Sequence, residues 1–267
     1  MPPADKRQRK KENARLAREE REAQLKKRRR NRTIRNGAIA VGVFVIAILL
    51  ISWLSGGKKK NVAVSPTTTT TLVPYPAGCV STIPKSSPRT PYKSAPAMTI
   101  DVTKTYVAHV TTSCGAFNIT LDPKDAPKTV NSFVFLAKQG FYDGLKFHRI
   151  AKQFVVQGGD PKGDGTGGPG YVLPTEPPKN GYRKGSVAMA NGGANTTGSQ
   201  FFLVLSDSGA KGLGGPPYLY SALGNVTSGF DVVTKLGSLY NPDQTSDPST
   251  QKTSVPLYMF KVTITEK

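Results

Sequence analysis

In the stretch FHRIAKQFVVQGGDPKGDGTGG, Phe147 to Gly168, Arg149 interrupts one apolar run and Gln157 closes the next, and six glycines follow within eleven residues. Two chemistries compete for it. An arginine set among apolar residues is a permanent cation with forked donors, able to stabilise charge that develops on a neighbouring atom. A glycine run can instead cradle a phosphate on backbone N–H groups. Gly163, Gly165 and Gly168 satisfy G-x-G-x-x-G literally, but that motif needs a helix beginning at the run. Pro169, Gly170, Pro174, Pro177 and Pro178 follow instead, so the glycines read as tight turns. Taken alone, Arg149 reads as a strand arginine in a surface ion pair.

The elements that must position these residues are short. TYVAHVTTS and GAFNITLD read as strands joined by the turn SCG. LKFHRI, FVVQGG, SVAMAN, QFFLVL, SALGNV and PLYMFKVTIT read as further strands. DAPKTVNSFVFLAKQG reads as a helix, with Asp125 as its cap, Pro127 in the first turn and Gly140 at the exit. GFDVVTKLG reads as a second. Alternation puts Gln200 and Phe202 on one face of QFFLVL, and Phe201, Leu203 and Leu205 on the other. In FVVQ, Val155 and Gln157 share a face. Each strand thus pairs an apolar group with an amide on one side and turns a continuous apolar side to the core.

Charge divides the chain. The net charge is +20, but residues 1–35 hold 15 Lys/Arg against 5 Asp/Glu, whereas residues 61–267 hold 19 against 12. The basicity is therefore mainly an N-terminal block, and no nucleic-acid motif accompanies it. GAIAVGVFVIAILLISWL, residues 37–54, contains no charge. As a helix it would span roughly 27 Å, close to the ~30 Å of a bilayer core. Basic flanks and the lack of a small-x-small cleavage site favour a retained single span over a signal peptide or a core helix. Positive-inside asymmetry puts the N-terminus in the cytoplasm and residues beyond the span outside. The expected layout is a basic segment at 1–36 near anionic headgroups, a transmembrane helix at 37–54, a Thr/Pro-rich stalk and lead-in at 55–98, and a folded domain at 99–267. Cys79 and Cys114 are the only cysteines. An oxidising location permits a disulfide between them, and two free thiols are the alternative. His109 and His148 are too isolated from Cys and acidic clusters to form a metal site, and no cofactor is expected.

FHRIAKQFVVQGGDPKGDGTGG followed by GSVAMANGGANTTGSQFFLVL resembles the cyclophilin-type peptidyl-prolyl cis–trans isomerases, and DAPKTVNSF, FYDGLKFHRI and LGNVTSGFDVV match as well. The resemblance extends over roughly residues 105–265, and the anchored layout is similar to that of actinobacterial extracytoplasmic members. It implies a mainly-β fold, a closed eight-stranded antiparallel barrel with two capping helices, and a site on the barrel's outer surface. It implies Arg149 as the catalytic residue. The implied substrate groove is Phe154, Val155, Gln157, Ala190, Asn191, Gln200 and Phe202, with Gly165 lining it and Tyr220 where many members have histidine. Two departures stand out. Val155 replaces the family's usual methionine, and the tryptophan common in eukaryotic members is missing, since the chain's one tryptophan is Trp53.

The implied chemistry follows from elementary energetics. Amide resonance sets a rotation barrier of ~18–20 kcal/mol, and X–Pro bonds isomerise unaided over ~10–100 s. A cation hydrogen-bonded to the prolyl nitrogen favours the single-bond-like transition state, while an apolar pocket holds the ring. Raising a rate of ~10⁻² s⁻¹ to ~10³ s⁻¹ takes about 7 kcal/mol, within reach of a few differential contacts. The expected partners are proline-containing polypeptides, exported or at the cell surface. The competing expectation, motivated by Val155 and the absent tryptophan, is a proline-binding chaperone or scaffold without turnover.

Overall fold

The computed structural model describes residues 75–85 and 89–267. Eight strands appear in order: β1 (Tyr106–Thr112), β2 (Gly115–Leu121), β3 (Phe147–Ala151), β4 (Val155–Gly158), β5 (Ser186–Met189), β6 (Phe201–Val204), β7 (Ala222–Ser228) and β8 (Met259–Glu266). Helix α1 (Pro127–Lys138) follows β2, α2 (Asp207–Gly212) follows β6, and α3 (Phe230–Ser238) follows β7. All strand pairs are antiparallel, in the spatial order β3-β4-β6-β5-β7-β2-β1-β8.

This order corrects the expected closed barrel. The sheet is open, with β3 and β8 as its edges. Between the edges lie an isolated Lys146–Tyr258 bridge, outside both strands, and backbone bonds from Gly144 N–H to the Met259 carbonyl and from Met259 N–H to the Leu145 carbonyl. The reason lies in what faces β3. Its edge N–H groups at Phe147 and Ile150 donate to the carbonyls of Leu257 and Gln251, on an irregular segment that includes Pro256, which has no N–H to give a ladder. The helix count also differs. The short α2 is additional to the two expected helices, and the N–H of Gly209 in its first turn donates to the Ser206 hydroxyl. The expected span at 37–54, the basic segment and the first part of the stalk lie outside the described residues. Among the described residues no helix is long and apolar enough to cross a membrane.

One core lies on the sheet's inner face. Ile150, Val156, Leu203 and Val187 stand in register across β3, β4, β6 and β5, and all are buried. Val130, Phe133 and Leu136 of α1 and Val233 and Leu236 of α3 join the same cluster. The α1 N-terminus is not capped by Asp125, as the sequence suggested. Asp125 pairs instead with Lys179 at 2.7 Å, and Glu176, distant in sequence, accepts the α1 N–H groups of Lys128 and Thr129. A carboxylate at this end satisfies orphan donors and complements the helix dipole.

Within the stretch assigned to the lead-in by composition, residues 75–85 and 89–98 make several contacts with the sheet and helices. Cys79 is disulfide-bonded to Cys114 in the β1–β2 turn. The Tyr75 hydroxyl donates to the Pro256 carbonyl, the Tyr92 N–H to the Pro169 carbonyl, and the Tyr92 ring meets Phe135 edge-on. Arg89 donates to the carbonyls of Phe141 and Asp143.

Candidate functional site

The site begins with a fault in a strand. Phe147 pairs with Gly158 and Arg149 with Gln157, so His148 is the extra residue of a β-bulge. In a regular strand residues 147 and 149 would share a face. The bulge shifts the phase. Phe147 and Ile150 therefore both enter the core, and Arg149 emerges on the opposite face. The register then lines up Arg149, Gln157, Phe202 and Ala188 across β3, β4, β6 and β5.

The Arg149 guanidinium is held by amides alone. Its Nε and Nη2 donate to Gln251 Oε1 at 3.0 and 2.6 Å, and Nη1 donates to Gln157 Oε1 at 2.9 Å. Gln251 Nε2 donates to the Thr245 and Ser246 carbonyls, which orients its oxygen toward the arginine. Gln157 Nε2 donates to Gln200 Oε1, and Gln200 Nε2 donates to the carbonyls of Gly165 and Gly167. Every amide in this chain of bonds is thus fixed in one orientation. Arginine has five N–H donors; three are engaged here, leaving two for a ligand. Among the described residues no carboxylate bonds the guanidinium, so its charge is not neutralised there. Burial presses the Arg149 pKa down and Tyr220 opposes this, yet an arginine keeps its proton in proteins.

Beside the arginine the outer face carries a second apolar cluster: Ala151, Val155, Ala188, Phe202, Val204, Ala210 and Leu213. Phe154, Ala190, Tyr182 and Tyr220 pack against it, half-buried. Helix α2 roofs one end. Any side chain at Gly209 would strike the Phe154 carbonyl at 2.9 Å, so the helix lies directly on the β3–β4 turn. The Tyr220 ring stands edge-on to Phe202 at 5.2 Å. Its backbone is clamped by the Tyr182 hydroxyl, which accepts from Tyr220 N–H and donates to Tyr220 O. Burial pushes the Tyr182 phenol up to about 12.

The glycine run is occupied by the chain's own carboxylate. Buried Asp160 accepts the N–H groups of Lys162, Asp164 and Gly165. A Cβ at Gly167 would overlap Asp160 Oδ1. The donors that a phosphate would need are spent on this internal anion, and the loop presents carbonyls, not N–H groups, to Gln200.

Of the residues the sequence singled out, Arg149, Phe154, Val155, Gln157, Gly165, Ala190, Asn191, Phe202 and Tyr220 line one groove of about 810 Å³. Gln200 lines an adjoining hollow of about 680 Å³, which shares Gln157, Gly165, Ala190 and Asn191 with the groove. Val155 and Phe202 are only 1% and 4% exposed, so they form a floor more than a wall. The Asn191 side chain donates to the Leu219 carbonyl, tying the far loop to the groove. Cys79 and Cys114 lie at the β1–β2 turn and line neither hollow. Sequence reasoning missed Gln251, Asp160, Tyr182 and Leu213. Gln251 is 102 residues from Arg149 and sits in a polar loop without pattern. The Asp160–glycine spacing is the one visible signal among them, and by itself it indicates only turns.

The comparisons agree with this geometry. The family model for "Cyclophilin type peptidyl-prolyl cis-trans isomerase/CLD" matches residues 107–262. A peptidyl-prolyl cis–trans isomerase of Helicobacter pylori is 42% identical over 143 residues, covering 51% of this chain and 83% of the relative. A probable peptidyl-prolyl cis–trans isomerase B of Mycobacterium tuberculosis is 45% identical over 113 residues, covering 36% of this chain and 37% of that one. The crystal structure of a Cryptosporidium parvum cyclophilin, obtained in the presence of the dipeptide Ala-Pro, aligns with TM-score 0.52 and 27% identity, over 60% of this chain and 99% of that chain. With the family model spanning more than half its length, this chain belongs to the cyclophilin-type peptidyl-prolyl cis–trans isomerases and is an enzyme acting on proline-containing polypeptides.

Proposed function

We propose that Arg149 lowers the rotation barrier by donating to the prolyl nitrogen while the ring rests on the floor of Phe154, Val155 and Phe202. The observation that carries this reading is the amide-only shell of Arg149, which leaves a full charge and two N–H groups at the edge of an apolar surface. As the amide loses resonance, its nitrogen becomes pyramidal and gains a lone pair. A fixed cation stabilises that lone pair more than the planar ground state, which is how differential binding accelerates a reaction. The Asn191 backbone and the Gln157 side chain hold one flank of the peptide while the other turns. Tyr220 completes the far wall in an aromatic form. The test is a proline-peptide isomerisation assay on the full-length chain in detergent micelles. Arg149→Ala is expected to lose about two orders of magnitude in kcat/KM while keeping peptide affinity; equal rates for the two proteins would remove the catalytic role.

For location, the proposed arrangement is a single anchor at residues 37–54, the basic residues 1–36 in the cytoplasm against anionic headgroups, and the isomerase domain outside, acting on exported or surface proteins. The uncharged run and the charge asymmetry support it. The Cys79–Cys114 disulfide supports an oxidising side. Protease added to intact cells is expected to digest the domain; full protection would reverse the orientation.

A further inference from the structure

The charged residues that line the two hollows are unevenly signed. Lys146, Arg149 and Lys252 line the groove, and Lys162 lines the adjoining hollow. The one carboxylate among the linings is Asp164, which accepts from Thr166 N–H and Oγ1–H in its own turn and keeps its charge near Lys162, so four cations stand against one anion. Lys146, Lys162 and Lys252 are exposed. Among the described residues none of the three is in an ion pair; the pairs there are Lys104–Glu266 and Lys179–Asp125.

The three lysines also gather at one end of the apolar floor. Lys146 precedes β3 and Lys252 follows Gln251, so both lie at the Arg149 end. Lys162 is in the glycine loop, and the Lys146 side chain reaches the same loop, its Cδ 3.7 Å from where a Cβ at Gly163 would lie. An extended peptide advances about 3.3 Å per residue. A chain seated by its proline on the floor would therefore run past these lysines within a few residues on the flank that leaves along Arg149 and the glycine loop.

We propose that this isomerase selects prolines with acidic residues on the flank that runs along Arg149 and the glycine loop, with Lys146, Lys162 and Lys252 as the specificity-determining side chains. The inference rests on the reading of the groove as the proline site. Exposed lysines act through space and in water, so the preference is moderate and sensitive to salt. The floor supplies the affinity for proline, and the lysines decide which prolines are bound.

The experiment measures kcat/KM of the full-length chain in micelles on three peptides that share an Ala-Pro core. They carry Glu, Gln or Lys within two residues of the proline on both sides. At low ionic strength the Glu peptide is expected to exceed the Gln peptide by about fivefold to tenfold, with the Lys peptide lowest. The ratio should shrink toward unity as salt is raised. In the triple variant Lys146→Glu, Lys162→Glu, Lys252→Glu the order should invert. A control of equal charge change on exposed lysines outside both hollows, Lys124→Glu, Lys128→Glu, Lys261→Glu, should not invert it. Equal kcat/KM for the Glu and Gln peptides, with Arg149-dependent turnover of both, overturns the selectivity and leaves the isomerase reading standing. Inversion by the control triple also overturns it, because the effect would then belong to net charge. No acceleration of any peptide refutes the isomerase reading and this proposal together.

Discussion

Replacing Gln251 by alanine removes the single oxygen that accepts from both Nε and Nη2 of Arg149. Only the bond to Gln157 would then steer the guanidinium. A hydrogen bond to a charged group contributes about 1.5–3 kcal/mol, and two donors sharing one acceptor count as little more than one such bond. Water can enter this half-open groove and replace part of it, so the lower end applies. At about 1.4 kcal/mol per decade, kcat/KM should fall about tenfold. The proline floor is untouched, so peptide affinity should hold and the loss should appear in kcat. Gln251 also donates to the Thr245 and Ser246 carbonyls, so its loss should lower stability by about 1 kcal/mol. Gln251→Glu separates positioning from charge. Its carboxylate can hold the fork in place, but it offsets the cation at the reacting atom. If the fixed charge of Arg149 is the catalyst, Gln251→Glu should also lose kcat while retaining stability better than Gln251→Ala. Isomerisation kinetics and urea denaturation on both variants provide the check. Wild-type kcat in a folded Gln251→Ala protein would refute the reasoning.

Other residues make independent predictions. Phe202→Ala opens a cavity beneath the groove and should cost about 3–5 kcal/mol of stability, read by urea denaturation, whereas Phe202→Leu should cost less and raise KM more than it lowers kcat. Cys114→Ser frees a loop of 35 residues and should cost about 3–4 kcal/mol by the chain-entropy argument; a midpoint shift on adding reductant to the wild type but not to the variant is the check. His148 has both ring nitrogens buried without hydrogen-bond partners among the described residues, and burial holds its pKa below the ordinary imidazole value. Below about pH 6.5 the unfolded chain therefore binds more protons than the folded one, so stability should fall as pH drops through that value toward the folded pKa. His148→Gln should flatten this slope in denaturation titrations at pH 5–7.

What could be read from the sequence was whatever depends on neighbours a few residues apart. Alternation in QFFLVL and FVVQ correctly separated Phe201 and Leu203 from Phe202, because each residue's face is a local property of a regular strand. The same rule fails one strand earlier. Applied to FHRI it puts Phe147 and Arg149 on one face, and only the bulge at His148 separates them. A bulge is set by the partner strand, so no pattern within five residues could reveal it. The open edge has the same origin. Eight strands were countable, but whether β3 meets β8 depends on what the segment from Gln251 to Tyr258 does, and its Thr, Ser and Pro residues carry no period. These two illegible features combine in the site. The bulge turns Arg149 outward, and the failure of the ladder to close brings an irregular loop alongside β3. Ile150 N–H bonds the Gln251 carbonyl in place of a ladder partner, and the Gln251 side chain then reaches the guanidinium. A closed, regular barrel would have satisfied more backbone bonds and left Arg149 without its principal clamp. Inserting one residue between Gln157 and Gly158 would give His148 a partner and remove the bulge; Phe147 and Arg149 would then share a face, so either the ring leaves the core or an unpaired ion enters it, at a cost of several kcal/mol. The irregularity is thus a condition of the site, and local patterns reveal such irregularities least well.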